Sequence, residues 1–226
     1  MCAQSSECTI NDVAALLASR DFAAVPAGPV HQYLGLLLAW NRRMNLVGSQ
    51  DWRTVLLDLV LDSFHLASFL ELLDLDDQAA VLDLGAGAGL PGIPLRMVWT
   101  RGVYRMVEVR QKRQAFLAHA LGQLGLPRTH VFPGTAEAAL ARFGPALVVS
   151  RAFKPWPEVL DLVQDHVPGR AVRTVFMTNE PPPAQWPAGW RLERSHRYCS
   201  GLVGLSESSS SESSSRWLWM VAASAD

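Results

Sequence analysis

The sequence predicts an α/β fold with a mostly parallel sheet of seven strands, preceded by a helical segment. Apolar side chains recur at helical spacing through the first 78 residues, and short apolar strands alternate with helices from residue 79 onward. A glycine-rich turn directly follows the first of these strands. Strands that alternate with helices at this interval indicate right-handed βαβ units, which place neighbouring strands parallel.

Three helices are predicted before the sheet, at residues 10–19, 30–46 and 52–73. Each carries apolar residues three or four positions apart, so each can bury one face. An acidic connector at residues 74–78 separates them from the first strand. We therefore expect residues 1–78 to form a helical segment and residues 79–226 to form the domain that contains the sheet.

Seven segments are predicted as strands, at residues 80–84, 103–108, 130–132, 146–150, 171–177, 190–198 and 217–222. Helices are expected between them at residues 93–99, 111–124 and 157–166, and the last two strands suggest a hairpin at the sheet edge. Residues 206–215 contain eight Ser and two Glu. Such a segment cannot bury a core, so we expect a disordered loop, with a phosphorylated regulatory segment as the alternative.

Composition narrows the class of protein. The 226 residues are 49% hydrophobic and 18% charged, which suits one sizeable core. The formal net charge is −1, so a role with nucleic acid requires a local basic patch. Cys2, Cys8 and Cys199 have no metal-ligand spacing, and neither a signal-peptide pattern nor an apolar run of membrane-spanning length is present. We expect a cytoplasmic protein with no metal and no membrane association.

The most informative segment is residues 81–94, Val-Leu-Asp-Leu-Gly-Ala-Gly-Ala-Gly-Leu-Pro-Gly-Ile-Pro. Glycine permits positive φ and close approach of a ligand to the backbone, and the N–H groups of the next helix favour an anionic group. Gly87-x-Gly89-x-x-Gly92 fits the dinucleotide fingerprint, and Glu108 follows at about the 20-residue distance expected for it. A nicotinamide nucleotide is therefore one possible ligand.

A second interpretation fits the same segment better. Asp83 is followed by Gly85-x-Gly87-x-Gly89, the acidic-x-Gly-x-Gly-x-Gly arrangement usual for enzymes that bind S-adenosylmethionine (SAM). Pro91 and Pro94 stiffen the start of the helix, where a dinucleotide site needs close helix–strand packing. These features favour SAM over NAD, with a glycine turn that only packs as the third possibility.

Polar residues at the ends of the next strands complete a predicted cofactor site. Glu108 can accept hydrogen bonds from both ribose hydroxyls, or it is a solvated strand end. Ala136 and Glu137 follow the third strand and can meet the adenine edge, although a carboxylate there also stabilises a helix N-terminus. Arg151 ends the fourth strand, where it can hold the SAM carboxylate, a substrate phosphate or guanine O6, or form a surface ion pair.

Several motifs together are similar to one known family. They are Trp40-Asn41 with Asn45-Leu46, Leu61-Asp62-Ser63, Gly85 to Pro94, Lys112-Arg113 with Phe116-Leu117, and Ser150-Arg151-Ala152-Phe153. With these motifs the chain resembles the ribosomal RNA small subunit methyltransferase G family, also called glucose-inhibited division protein B. The resemblance extends from about Tyr33 to Arg216.

The resemblance implies a Rossmann-like class I SAM-dependent methyltransferase that methylates N7 of a guanine in 16S rRNA of the small ribosomal subunit. By motif position it assigns to the cofactor Gly85, Leu90, Ala136, Glu137 and Arg151, to which the turn itself adds Gly87, Gly89 and Glu108. Arg151 is also the candidate catalytic residue. The candidate substrate-binding residues are Asn41, Asn45, Arg110 and Lys112, each of which has an ordinary helix-packing or solvated role as its alternative. We expect a monomer.

Guanine N7 has a free lone pair and no proton to remove, so this chemistry needs placement of the reactants rather than a catalytic base. The chain departs from the family at several polar positions, namely Asp58 and Leu59 in place of Arg-His, Glu108-Val109 in place of Asp-Ser, and Asn179 in place of Lys. These departures affect RNA affinity more than SAM binding. They leave open a SAM-dependent methyltransferase of another substrate and a non-catalytic RNA-binding relative.

Overall fold

The computed structural model describes residues 8–200 and 215–223. Cys2 and nearly all of the Ser-rich segment predicted to be disordered lie outside the described residues. Ser215, the last residue of that segment, begins the final strand.

Four α-helices and a π-helical turn precede the sheet in the described part of the chain. They are α1 (Ile10–Ala18), α2 (Ala27–Met44), α3 (Trp52–Val55), the π-helical turn (Leu56–Val60) and α4 (Leu61–Leu70). Thr9 and Asp12 form a capping box at the start of α1, and the Asp51 carboxylate caps α3 by accepting from the Thr54 N–H. The single helix predicted at residues 52–73 is therefore three consecutive helical pieces that end at Leu70.

Strands and helices then alternate as predicted. The strands are β1 (Ala80–Leu84), β2 (Val103–Glu108), β3 (Thr129–Pro133), β4 (Leu147–Arg151), β5 (Arg173–Thr178), β6 (Trp190–Cys199) and β7 (Ser215–Ala223). The helices between them are α5 (Gly92–Arg96), α6 (Gln111–Leu124), α7 (Ala136–Phe143) and α8 (Trp156–His166).

The seven strands form one sheet in the order β3-β2-β1-β4-β5-β7-β6. The first five strands are parallel, and β7 runs antiparallel to both β5 and β6. The predicted mostly parallel sheet and its terminal hairpin are confirmed. Strand β1 lies between β2 and β4, so the strand order reverses there, and ligands of open α/β sheets bind at the carboxyl ends of strands beside such a point.

The core consists of two hydrophobic clusters, one on each face of the sheet. Val81 of β1 belongs to the cluster that contains the apolar faces of α1, α2 and α4, whereas Leu82 belongs to the cluster formed with α7 and α8. This alternation follows from the two-residue period of a strand. The N-terminal helices share a core with the sheet, and the boundary at residue 79 stays a prediction about domain organisation.

Candidate active site

The glycine-rich turn begins where β1 ends. Gly85, Gly87 and Gly89 have φ values of +72°, +54° and +78°, a region that other residues adopt at a cost. The N–H groups of Gly85 and Ala86 each donate to the Val107 carbonyl oxygen at 3.0 Å. The turn is therefore attached to the end of β2, at the carboxyl edge of the sheet.

The three glycines differ in what surrounds them. A Cβ atom built on Gly85 would lie 2.6 Å from Cδ2 of Phe153, and one on Gly89 would lie 2.4 Å from Cδ1 of Ile93. A Cβ atom on Gly87 would meet no described atom closer than 3.6 Å. Packing within the protein thus explains glycine at the outer two positions. At Gly87 the backbone remains accessible, which fits a cofactor that lies against the turn.

Glu108 is held beside this turn and is only 4% exposed. Its Oε2 accepts from the Gly87 N–H at 3.1 Å, and its Oε1 accepts from the Arg110 N–H at 2.8 Å. Arg113 Nη1 lies 3.8 Å from Oε2. Glu108 is therefore not a solvated strand end. Each of its oxygens retains a second lone pair, so the carboxylate can still accept from the hydroxyls of a ribose.

The N-terminal helices also contact the turn. The buried Tyr33 hydroxyl of α2 donates to the Ala88 carbonyl oxygen at 2.9 Å. Leu90 is half-buried and packs against the hydrophobic cluster that includes these helices. The turn is thus fixed from β2 on one side and from α2 on the other.

Ala136 and Glu137 lie at the start of α7. Ala136 is buried, and Thr135 caps the helix by accepting from the Ala138 N–H at 3.2 Å. Hydrogen bonds from its own backbone N–H and from the Thr135 side chain lower the pKa of Glu137. Glu137 therefore has the geometry of a helix-starting carboxylate, which leaves it compatible with a contact to adenine.

Arg151, at the end of β4, belongs to a buried ionic cluster. Its Nη2 lies 2.6 Å from Oδ2 of Asp62, and its Nη1 donates to the Leu59 carbonyl oxygen at 3.1 Å. Arg216 of β7 donates from Nη1 to the same Asp62 oxygen and to the Asp58 carbonyl oxygen. The ion pair of Arg151 is therefore an internal one, with a side chain only 16% exposed.

Tyr198 of β6 completes this cluster by donating from its hydroxyl to Oδ1 of Asp62 at 3.1 Å. Asp62 is 1% exposed, and burial raises its pKa although both guanidiniums and the Tyr198 hydroxyl oppose that rise. Burial and the Asp62 carboxylate raise the pKa of Tyr198, so its hydroxyl stays protonated. We define Asp62, Arg151, Tyr198 and Arg216 as the Asp62 cluster.

A cavity of about 630 Å³ opens beside the Asp62 cluster, at the carboxyl ends of β4 and β5. All four members of the cluster line it, and Trp156 forms part of the aromatic wall. Lys154, Asn179 and Glu180 also line it. Its volume lies in the range of about 300–1,000 Å³ that is typical of small-molecule sites.

The four candidate substrate residues lie outside the lining of this cavity. Asn41 is 1% exposed, and its amide donates to the Ser49 carbonyl oxygen and accepts from the Val47 N–H. Of the two roles considered for Asn41, substrate binding and helix packing, these contacts correspond to packing. Asn45 ends α2 in the left-handed conformation and is exposed. Arg110 and Lys112 are exposed at the start of α6, next to Glu108.

Sequence reasoning missed three members of the Asp62 cluster as site residues. Leu61-Asp62-Ser63 stood out as a family motif, yet nothing near it in the sequence indicates partners 89 and 154 residues away. At the divergent positions Asp58 and Leu59 the backbone carbonyls, rather than the side chains, contact the two arginines. The cluster therefore does not depend on which side chains occupy these two positions.

The described part of the chain has neither a metal-binding group nor a membrane-spanning helix. Within residues 8–200 and 215–223, no three His, Cys, Asp or Glu side chains form a group that could hold a metal ion. Over the same residues, no helix combines the length and the apolar character that crossing a membrane requires.

Comparison with known proteins identifies the family. The GidB family model, described as rRNA small subunit methyltransferase G, matches residues 28–177. A curated protein named ribosomal RNA small subunit methyltransferase G from Nitratidesulfovibrio vulgaris strain DP4 is 55% identical over 168 residues, covering 74% of this chain and 76% of that protein. A protein of the same name from Lawsonia intracellularis is 40% identical over 172 residues, covering 75% and 79%.

Solved structures with low sequence identity share the fold. A variant of MtNAS in complex with S-adenosylmethionine superposes with a TM-score of 0.54 at 15% identity, covering 95% of this chain and 84% of that one. A SAM-dependent methyltransferase from Aquifex aeolicus superposes with a TM-score of 0.50 at 15% identity, covering 75% and 93%. The predicted Rossmann-like class I methyltransferase fold is confirmed, and by sequence the chain belongs to the GidB family of rRNA small subunit methyltransferases.

Proposed function

We propose that this protein is a SAM-dependent methyltransferase that methylates N7 of a guanine in 16S rRNA of the small ribosomal subunit. One observation carries the proposal. In a chain of this family, the open backbone at Gly87 and the buried Glu108 carboxylate meet at the point where the strand order reverses, beside a cavity lined by the Asp62 cluster.

The residues around the turn fit SAM. The backbone of Gly85, Gly87 and Gly89 would lie against the cofactor, and Glu108 would accept from its ribose hydroxyls. We assign the adenine contact to Leu90, Ala136 and Glu137, which lie at the turn and at the start of α7. When bound, SAM supplies a methyl group that its sulfonium already activates for transfer.

The chain's own task is placement of the guanine. N7 carries an in-plane lone pair and no proton, so no side chain has to act as a base. Holding donor and acceptor in line accounts for roughly 7–11 kcal/mol of the barrier in well-oriented reactions. We assign this placement to the cavity wall, where Arg151 keeps N–H groups that can donate to guanine O6 or to a phosphate.

The target must reach the cavity as an unpaired or extruded nucleotide, because A-form RNA hides the N7 edge in its deep and narrow major groove. A net charge of −1 requires that RNA be held by local cations. Arg110 and Lys112 are exposed next to the turn, and Asn45 is exposed at the end of α2, which supports them as contacts to the RNA. We further propose that the protein acts as a monomer in the cytoplasm, without a metal.

The test is methyl transfer from labelled SAM to purified 30S subunits and to free 16S rRNA, followed by mapping of the labelled nucleotide. We expect the label on N7 of a single guanine. Gly87→Val serves as the control that cannot bind SAM. Binding of SAM without transfer to either RNA would overturn the rRNA substrate. Labelling of a different class of molecule would indicate a methyltransferase of another substrate, in line with Asn179 and Glu180 at the cavity.

A further inference from the structure

We propose that Asp62 is a positioning residue, which orients Arg151 and Arg216 at the cavity wall and sets the positive charge that they present to the RNA. This inference rests on the proposed function, because it concerns how the same site holds its substrate. It is carried by the geometry, the charge and the placement of the Asp62 cluster.

The geometry joins distant parts of the chain at one carboxylate. Asp62 lies on α4, and its partners Arg151, Tyr198 and Arg216 lie on β4, β6 and β7. Each guanidinium is held at two points, by the carboxylate and by one carbonyl oxygen of the π-helical turn. Two contacts fix the orientation of a planar guanidinium, and π-helical turns are frequent at functional sites. The remaining N–H groups are thereby held in place for a ligand.

The charges in the cluster do not balance. One carboxylate faces two guanidiniums, and the Tyr198 hydroxyl stays protonated, so the cluster carries one surplus positive charge. Nε of Arg216 is buried and has no hydrogen-bond partner among the described residues. A site with surplus positive charge suits an anionic group, and the anionic group of RNA is its phosphate.

Stabilisation alone is a weak explanation for this arrangement. Buried ion pairs are often no more stabilising than apolar residues of the same volume, because each charge loses its hydration. All four members of the cluster line the cavity, where charge held in a fixed orientation assists binding and transfer. The observations therefore favour a role at the site over a role in stability only.

The test compares two variants that make the same change in charge. Asp62→Asn keeps the shape of the side chain but removes the charge that faces both arginines. We expect methyl transfer to slow by roughly 100-fold, since a catalytic group displaced by about 1 Å has an effect of that size. We also expect rRNA affinity to rise, and the slope of log K against log salt concentration to steepen by about 0.7–0.9, the effect of one more phosphate contact.

Asp165→Asn is the matched control. Asp165 is exposed on α8 and does not line the cavity, and its side chain takes part in no ion pair or side-chain hydrogen bond described for the structure. We expect wild-type kcat and salt slope for this variant. A folded Asp62→Asn enzyme with wild-type kcat, or one with an unchanged salt slope, would overturn the proposal.

Two further measurements keep the test decisive. Calorimetry measures the SAM affinity of Asp62→Asn, so that methyl transfer by the variant and by the wild type is compared at saturating SAM. If Asp62→Asn fails to fold, Tyr198→Phe is the second variant, because it removes one hydrogen bond to Asp62 without changing the charge. For Tyr198→Phe we expect kcat to fall while the salt slope stays unchanged. A wild-type kcat for Tyr198→Phe would overturn the proposal. A wild-type protein that binds SAM but transfers no methyl group to rRNA would instead overturn the proposed function.

Discussion

The hydroxyl of Tyr33 donates a hydrogen bond of 2.9 Å to the carbonyl oxygen of Ala88, across 55 residues of sequence. Tyr33 lies on α2 and Ala88 lies in the glycine-rich turn, so a helix that precedes the sheet holds the segment expected to bind SAM. Asp62 of α4 likewise holds Arg151 at the cavity. Both halves of the candidate site therefore depend on the N-terminal helices.

Replacement of Tyr33 by Phe should destabilise the protein by about 1–3 kcal/mol, because the buried Ala88 carbonyl loses its donor. SAM affinity should fall as well, since the turn becomes less ordered. Urea unfolding and calorimetric titration measure the two effects. Thr174→Val is the control, because it likewise removes a buried hydroxyl, and the Thr174 hydroxyl has no hydrogen-bond partner among the described residues. Equal losses in the two variants would contradict the assigned role of Tyr33.

Alanine at Gly87 and at Gly89 should have different consequences. Both positions have positive φ, so each substitution carries strain of roughly 1–2 kcal/mol. At Gly89 the new Cβ also overlaps Ile93, so we expect a further loss of stability. At Gly87 it would occupy space that we assign to the cofactor, so SAM affinity should fall far more than stability. Retention of wild-type SAM affinity by a folded Gly87→Ala variant would contradict that assignment.

Asp83 should make stability depend on pH. Burial raises its pKa to about 7 from an ordinary value of 3.8, and the neighbouring Tyr104 hydroxyl and Gly92 amide only partly oppose the rise. Between these values the folded state binds the proton and the unfolded state does not. This contribution to stability is therefore largest at low pH and is lost as the pH rises towards 7.

Asp83→Asn removes the titrating group and is the variant that isolates this effect. Its stability relative to the wild type should increase by about 2–3 kcal/mol between about pH 5 and about pH 8. Urea unfolding of both proteins at the two pH values measures the change. The comparison cancels the titration of groups common to both proteins. A difference independent of pH would show that Asp83 is ionised in the folded protein throughout this range.

In the Trp40-Asn41 and Asn45-Leu46 motif, we expect Asn41 to act in packing and Asn45 to act in RNA binding. Asn41→Ala should cost about 1–3 kcal/mol of stability, because two partly buried backbone groups lose their partner, and should leave rRNA affinity unchanged. Asn45→Gly suits the left-handed conformation of that residue, so stability should be kept while rRNA affinity falls. Chemical unfolding and filter binding test both variants. Weakened RNA binding by a folded Asn41→Ala protein would contradict this division.

Elements with strong local signals could be predicted closely. The observed bounds of β1, β2 and α6 equal those expected, because apolar runs end at glycine or at charged residues and Gly125 closes α6. The π-helical turn at Leu56–Val60 could not be predicted, because it changes the backbone hydrogen bonding without a distinct apolar period. The bounds of α7 could not be predicted either, because this helix is only eight residues long.

The same distinction applies to the candidate site. The glycines of the turn and Glu108 lie within one βαβ unit, so their spacing indicated their proximity. The partners of Asp62 come from three strands, and only the folded sheet brings them together. Asn41 carried a recognisable motif, yet its contacts with the following loop show that a motif can also arise from packing.

The most direct test of the central claim is a calorimetric titration of SAM into the folded protein, with NAD as the competing ligand. If the turn after β1 is a SAM site, one SAM should bind per chain, NAD should not displace it, and the binding heat should vanish in folded Gly87→Val. The absence of SAM binding by folded wild-type protein, or preferential binding of NAD, would contradict the assignment of this turn.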